Sequence, residues 1–194
     1  MNKTYIETIK VLDGVFYYLE YHQKRVNDSL EVNAHYILKE LLDSPPTKGL
    51  YRCRIVYSLN FFKVEYIQYV KRNVKTLKVL YNDILKYDKK YENRALINKL
   101  FLDREKCDDI LIVQNGLIKD TSIANIALFD GNTWVAPKNP LLYGTTMRRL
   151  VNESKITLKD IKIEDIKLYQ KIALMNAMID FDIILVENIE DIIC

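Results

Sequence analysis

Three Asx-Gly pairs constrain this chain more than any other feature. Asp13-Gly14, Asn115-Gly116 and Asp130-Gly131 each stand between runs rich in apolar residues. A two-residue turn between antiparallel strands needs positive φ, and Asp-Gly and Asn-Gly meet that need at little steric cost. The first pair sits in YIETIKVLDGVFYYLEYH, which reads as a hairpin running into a helix. The other two divide DDILIVQNGLIKDTSIANIALFDGNTWVAPK into a strand meander.

The rest of the pattern fills in around these turns. A helix is predicted over 20–31, with Leu19, Val26 and Leu30 on its inner side, and a second over 34–43, ending before Pro45-Pro46. GLYRCRIVYSLN, FFKVEYIQYV and VKTLKVLY read as strands. Residues 82–90 are polar and read as a linker. A helix is predicted over about 92–105. After the meander, YGTTMRRLVNES reads as loop then helix with a threonine N-cap. ITLKDIKIEDIKLYQ reads as a strand and a short helix, and IALMNAMIDFDIILVENI as two final strands. The expected architecture is α+β in two lobes: a small α/β lobe over 1–81, a linker over 82–90, and a larger β-rich lobe over 91–194.

Several function classes drop out. The five glycines, at 14, 49, 116, 131 and 144, cannot make a G-x-G-x-x-G or Walker A loop, which argues against Rossmann and P-loop enzymes. The 29 basic residues are spread among 26 acidic ones, so no nucleic-acid partner is expected. No apolar run reaches membrane-spanning length, and the start lacks the apolar core of a secretory signal, so no membrane association is expected. Three cysteines, far apart and odd in number, predict reduced thiols of a cytoplasmic protein. Two histidines give no basis for a histidine-rich metal site, and no metal is expected.

Five patches carry the candidate chemistry. Lys90 opens KYENR, a K-x-x-N-R segment between the two lobes. Asp120 and Asn125 stand five residues apart in DTSIAN, followed by an apolar strand, a turn and Val135-Ala136-Pro137. Gly144, Thr145 and Thr146 lead into a helix in YGTTMRRLV. His22 and Arg25 stand in LEYHQKRV, and Asn176 and Ala177 in ALMNAMI. In their order along the chain the patches resemble those of the class IV aminotransferases, the fold-type-IV enzymes that use pyridoxal 5′-phosphate (PLP), of which D-amino-acid aminotransferase is one. The strand YIETIKVLDG resembles that family's early E-T-[IL]-R strand, from which the chain is N-terminally short.

The resemblance implies roles. Lys90 would form the Schiff base with the cofactor. Asp120, where the family carries glutamate, would pair with the pyridine nitrogen and make the ring an electron sink. Asn125 matches the family asparagine that opens the following strand. Gly144, Thr145 and Thr146 would cup the phosphate at a helix N-terminus. Met147 stands where the family has arginine. Arg25 would reach the phosphate, a task suited to a guanidinium. Asn176 and Ala177 would add backbone contacts, since Ala177 lacks the family hydroxyl. Arg52 and Arg54 are candidates to meet substrate carboxylates. The expected partners are a small-molecule amine substrate and a second copy in a homodimer. Small size and the K-x-x-N-R form lean toward the 4-amino-4-deoxychorismate lyase branch, which yields 4-aminobenzoate and pyruvate for folate synthesis. A D-amino-acid or branched-chain aminotransferase is the alternative. A catalytically inactive binding protein on the same fold is a third reading, motivated by the departures at Asp120, Met147 and Ala177.

Overall fold

The computed structural model of the chain describes residues 3–32, 35–185 and 189–193, with the backbone alone for Glu190. The chain divides into two compact units. One comprises residues 1–71 and 89–93, the other residues 72–88 and 94–194.

The first unit is a four-stranded antiparallel sheet in the order β2-β1-β3-β4. Its strands are β1 (Tyr5–Leu12), β2 (Val15–Phe16), β3 (Leu50–Ser58) and β4 (Phe61–Gln68). The expected turn at Asp13-Gly14 joins β1 to β2, with φ of 49° and 82° at its two residues. Strict alternation lets one face pack against α1 (Leu19–Leu30), burying Ile9, Val11, Cys53, Ile55 and Tyr57 with Val26 and Leu30. The second helix, α2 (Leu38–Leu41), is a single turn, shorter than expected. Its expected start at Ala34 lies outside the described residues. Residues 89–93 lie along β1. Ile6 N–H donates to Lys90 O (2.9 Å), Glu92 N–H donates to Thr4 O (2.9 Å), and Tyr91 bridges and stacks on Tyr5.

The second unit is an eight-stranded sheet whose main path runs β10-β9-β8-β7-β6-β5. It uses β5 (Leu77–Tyr81), β6 (Asp109–Gln114), β7 (Leu117–Thr121), β8 (Asn125–Phe129), β9 (Trp134–Pro137), β10 (Thr157–Lys159), β11 (Lys171–Asn176) and β12 (Asp180–Ile184). Strand β11 pairs with both β8 and β12. Ile110 to Val113 of β6 are fully buried, as a central strand covered on both faces requires. The helices are α3 (Ala95–Leu102) and α4 (Thr145–Asn152). The predicted helix over 92–105 loses its first turn because 89–93 is spent pairing with β1. The expected threonine N-cap is not found. Gly144 occupies that position, and no side chain caps the helix. Of the expected reduced thiols, Cys53 is free and buried, whereas Cys107 is disulfide-bonded. Cys194 lies outside the described residues. Among the described residues, no helix is long and apolar enough to cross a membrane, and no metal-binding cluster of His, Cys, Asp or Glu is present.

Candidate functional site

In the first unit, the chemistry collects where α1 meets β1. The inward run of β1 is Tyr5, Glu7, Ile9 and Val11. Glu7 interrupts an apolar face with a charge that is wholly buried. His22 and Arg25 stand three residues apart on α1 and turn the same way. Arg25 donates from Nε to Glu7 Oε1 (2.7 Å) and from a terminal nitrogen to Oε2 (2.6 Å), a bidentate pair. His22 Nδ1 lies 2.5 Å from Glu7 Oε2. An ionised carboxylate only accepts, so Nδ1 carries the proton.

Burial is the largest single influence on Glu7 and pushes its pKa up. The Arg25 guanidinium and the His22 hydrogen bond together outweigh it and bring the value down to about 2. His22 is held below its ordinary value, chiefly by burial, with Arg25 and Lys90 adding to the depression against Glu7. Lys90 is therefore within electrostatic reach of this cluster. Its neighbour Lys89 is engaged elsewhere, donating to Ser29 O (3.0 Å) and Glu31 Oε1 (2.5 Å). Arg52 and Arg54 lie on the opposite face of the same sheet.

In the second unit, three segments far apart in sequence are knitted together. Asp120, the last residue but one of β7, is paired in register with Asn125 at the start of β8. Between them, Thr121 Oγ1 accepts from the Ala124 N–H (3.0 Å), which closes the turn tightly. Asn125 Nδ2 donates to Asp120 Oδ1 (2.7 Å) and to Leu142 O (2.7 Å). The Leu142 N–H donates to Asp120 Oδ2 (2.9 Å), and the Gly144 N–H to Asn125 Oδ1 (3.2 Å). A Cβ on Gly144 would stand 2.2 Å from that amide oxygen, so the close approach requires glycine. The third segment joins through Asn176, whose Nδ2 donates to Ile123 O (3.2 Å). Asn176 Oδ1 accepts from the Met178 (2.9 Å) and Ile179 (3.1 Å) amides, so its side chain is consumed in shaping the turn next to Ala177.

All donors that Asp120 meets directly are neutral. Burial pushes its carboxyl up to about 7, against the lowering effect of the Leu142 and Leu141 amides, Asn125 and Lys119. The first turn of α4 carries N–H groups with no intrahelical acceptor, and Thr145 and Thr146 are its first two residues. Met147, where an arginine was expected, is fully buried with Leu150, Ile156 and Met175. Its position faces the core, which accounts for an apolar residue there. Arg149 ties α4 to the start of β12 by an ion pair with Asp180.

Sequence reasoning left two features of these clusters unassigned. Glu7 had a legible mark, a lone carboxylate on the apolar phase of an alternating strand. The Leu142 backbone had none, because main-chain donors leave no trace in residue identity.

A model of the family described as amino-transferase class IV matches residues 90–184. An uncharacterized protein of Haemophilus influenzae is 34% identical over 182 residues, which is 89% of this chain and 96% of that relative. The crystal structure of a candidate 4-amino-4-deoxychorismate lyase from Haemophilus somnus is 31% identical, with a TM-score of 0.79, and covers 92% of this chain and 97% of that one. An aminotransferase from Brucella abortus, solved bound to PLP, shares the fold at a TM-score of 0.73 and 16% identity, covering 94% of this chain and 80% of that one.

Proposed function

The chain belongs to the class IV aminotransferase family, and from that premise we propose that it is a PLP-dependent lyase. In this reading it cleaves 4-amino-4-deoxychorismate to 4-aminobenzoate and pyruvate. The observation that carries the cofactor is Asp120: a buried carboxyl surrounded by neutral donors, which suits a cationic ring N–H. The lyase branch is supported by the likeness to the Haemophilus somnus protein across nearly the whole of both chains.

When bound, the cofactor supplies an electron sink to the carbon bearing the substrate amine. The residues divide the remaining work. Lys90 Nζ would hold the cofactor and, once free, would take the proton from that carbon. Asp120, steadied by Asn125 and the Leu142 N–H, keeps a proton on the ring nitrogen. In the first unit Arg25, and in the second the α4 amides with Thr145 and Thr146 and the backbone at Asn176 and Ala177, would each suit a phosphate. Gly144 lets the loop approach Asn125. Glu7 holds Arg25 in one orientation. The reading extends to a homodimer, which light scattering of the purified protein tests.

The deciding experiment pairs two measurements. The wild type with added PLP should show a visible absorption band that Lys90→Ala loses, with 4-aminobenzoate release falling by orders of magnitude. A band in both proteins would remove Lys90 from its role. Amino transfer to a keto acid without 4-aminobenzoate release would replace the lyase by an aminotransferase. No band in either would leave a non-catalytic relative.

A further inference from the structure

The turn between Asp120 and Asn125 is anchored from outside its own hairpin. Internal bonds already close it: the Thr121 N–H donates to Ala124 O (2.9 Å), and Thr121 Oγ1 accepts from the Ala124 N–H (3.0 Å). Two charged side chains from other segments nevertheless hold the backbone of Ser122. Asp109, the first residue of β6, accepts the Ser122 N–H at Oδ1 (3.3 Å). Arg94, just before α3, donates from a terminal nitrogen to Ser122 O. These partners come from 13 and 28 residues away in the chain. Asp109 is itself wholly buried. Its Oδ1 also accepts the Ile110 N–H (2.7 Å), and its Oδ2 pairs with Arg72, whose guanidinium lies 5.0 Å from the centre of the Phe101 ring of α3.

This is a costly way to hold one peptide. Arg94 spends its charge on a neutral carbonyl, and its Nε is buried without a hydrogen-bond partner. A buried guanidinium N–H left unpaired calls for an explanation. Charge-assisted bonds are about twice as strong as neutral ones, so two of them on one residue stop the turn from rocking. Asp120 and Asn125 flank that turn directly. A shift at Ser122 would draw the Asp120 carboxyl away from Asn125 Nδ2 and the Leu142 N–H, the two donors that seat it. We propose that Arg94 and Asp109 are positioning residues, which clamp the Ser122 backbone from both sides and so fix the Asp120 carboxyl for the cofactor's ring nitrogen. The inference rests on the proposed reading in giving Asp120 that partner.

Two measurements on the full chain test it. In the cofactor-free protein, difference infrared spectroscopy follows the protonated-carboxyl band that Asp120→Asn removes. Arg94→Met should lower its titration from about 7 toward the ordinary 3.8, because a displaced carboxyl meets water. With added PLP, the visible band should report an affinity weakened by about 10- to 100-fold. Arg94→Lys keeps a charged donor and should recover part of both. Asp109→Asn keeps an acceptor for the Ser122 N–H and should do less harm than Asp109→Ala. Arg104→Met serves as the control, since Arg104 stacks on the same Phe101 ring but donates to Phe101 O and not to the turn. It should change neither readout. A folded Arg94→Met protein that only melts earlier, with carboxyl titration and PLP affinity as in the wild type, overturns the proposal and leaves a purely structural clamp. No visible band in the wild type would sink the cofactor reading, while a lowered carboxyl titration in Arg94→Met would still uphold the positioning of Asp120. Should Arg94→Met fail to fold by circular dichroism, Arg94→Lys and Asp109→Asn decide on the same two readouts.

Discussion

Glu7 and Asp120 are both buried carboxylates, one in each unit, yet their protonation is driven in opposite directions. Glu7 is brought down to about 2 and Asp120 is pushed up to about 7. Both lose water, and both accept hydrogen bonds. The difference is the charge of the donors. Glu7 faces a guanidinium in bidentate contact, whereas Asp120 faces a backbone amide and a carboxamide. Neutral donors soften the cost of burying an anion, but a cation is needed to reverse it. Glu7 is therefore complete as it stands. Asp120 has no cation in direct contact, and a protonated ring nitrogen would provide one.

The comparison breaks most easily at Glu7. Glu7→Gln leaves Arg25 buried with a neutral partner, and removing one half of a buried ion pair costs about 3–5 kcal/mol. Urea unfolding at pH 7 should register that loss. A variant as stable as the wild type would mean that Arg25 is neutralised by some other group.

The opposite shifts also predict opposite pH slopes. Glu7 is depressed on folding, so its contribution is present above its ordinary value of 4.5 and fades as pH falls toward 2. Asp120 is raised, so the folded state keeps its proton while the unfolded chain releases it. Stability then declines as pH rises from 3.8 to about 7, by on the order of 4 kcal/mol for a displacement of that size. Asp120→Asn should flatten this decline in the cofactor-free protein, and PLP should flatten it in the wild type. Thermal melts between pH 4 and 8 check both. The same substitution should weaken PLP binding even though it relieves the apo protein. An unchanged slope in the variant would remove Asp120 as its source.

What the sequence disclosed follows from the range of the interactions. The turns at Asp13-Gly14 and Asn115-Gly116 are local, and both lie where the Asx-Gly pairs indicated. The spacing of Asp120 and Asn125 was legible because the two are paired neighbours across one tight hairpin. Glu7 and Arg25 are 18 residues apart, and Asp120 and Leu142 are 22 apart. No local pattern couples such positions. Thr145 looked like an N-cap because threonine is common there, but the close approach of Gly144 to Asn125 moved the helix start by one residue. The helix expected from residue 92 starts only at Ala95 for a related reason, since tertiary pairing of 89–93 with β1 overrode local propensity.

Gly144→Ala probes the second cluster without touching a charge. Its backbone φ of −66° suits any residue, so the whole effect comes from the Cβ meeting Asn125 Oδ1. Overpacking of this kind costs about 1–3 kcal/mol, and here it also displaces the amide that steadies Asp120. The expected result is a lower melting temperature together with weaker PLP binding. Normal PLP affinity in the folded variant would separate Asn125 from the cofactor's support.

The smallest effect belongs to a third carboxylate, Asp180, which is 48% exposed and paired with the buried Arg149. Exposure screens the pair, and Arg149 keeps Glu153 as a second partner at 3.0 and 3.1 Å. Asp180→Asn should therefore cost no more than about 1 kcal/mol, a fall of a few degrees in melting temperature. Asn also tolerates the positive φ of 58° at this position, so the backbone is not strained by the change. Asp180→Ala removes the same charge but forces a residue less suited to the left-handed region. The gap between the two melting temperatures measures conformational strain, and the Asn variant alone measures the charge. If Asp180→Asn were as damaging as Glu7→Gln, the contrast between screened and buried carboxylates would fail, and position 180 would have to be counted among the groups whose charge the fold cannot lose.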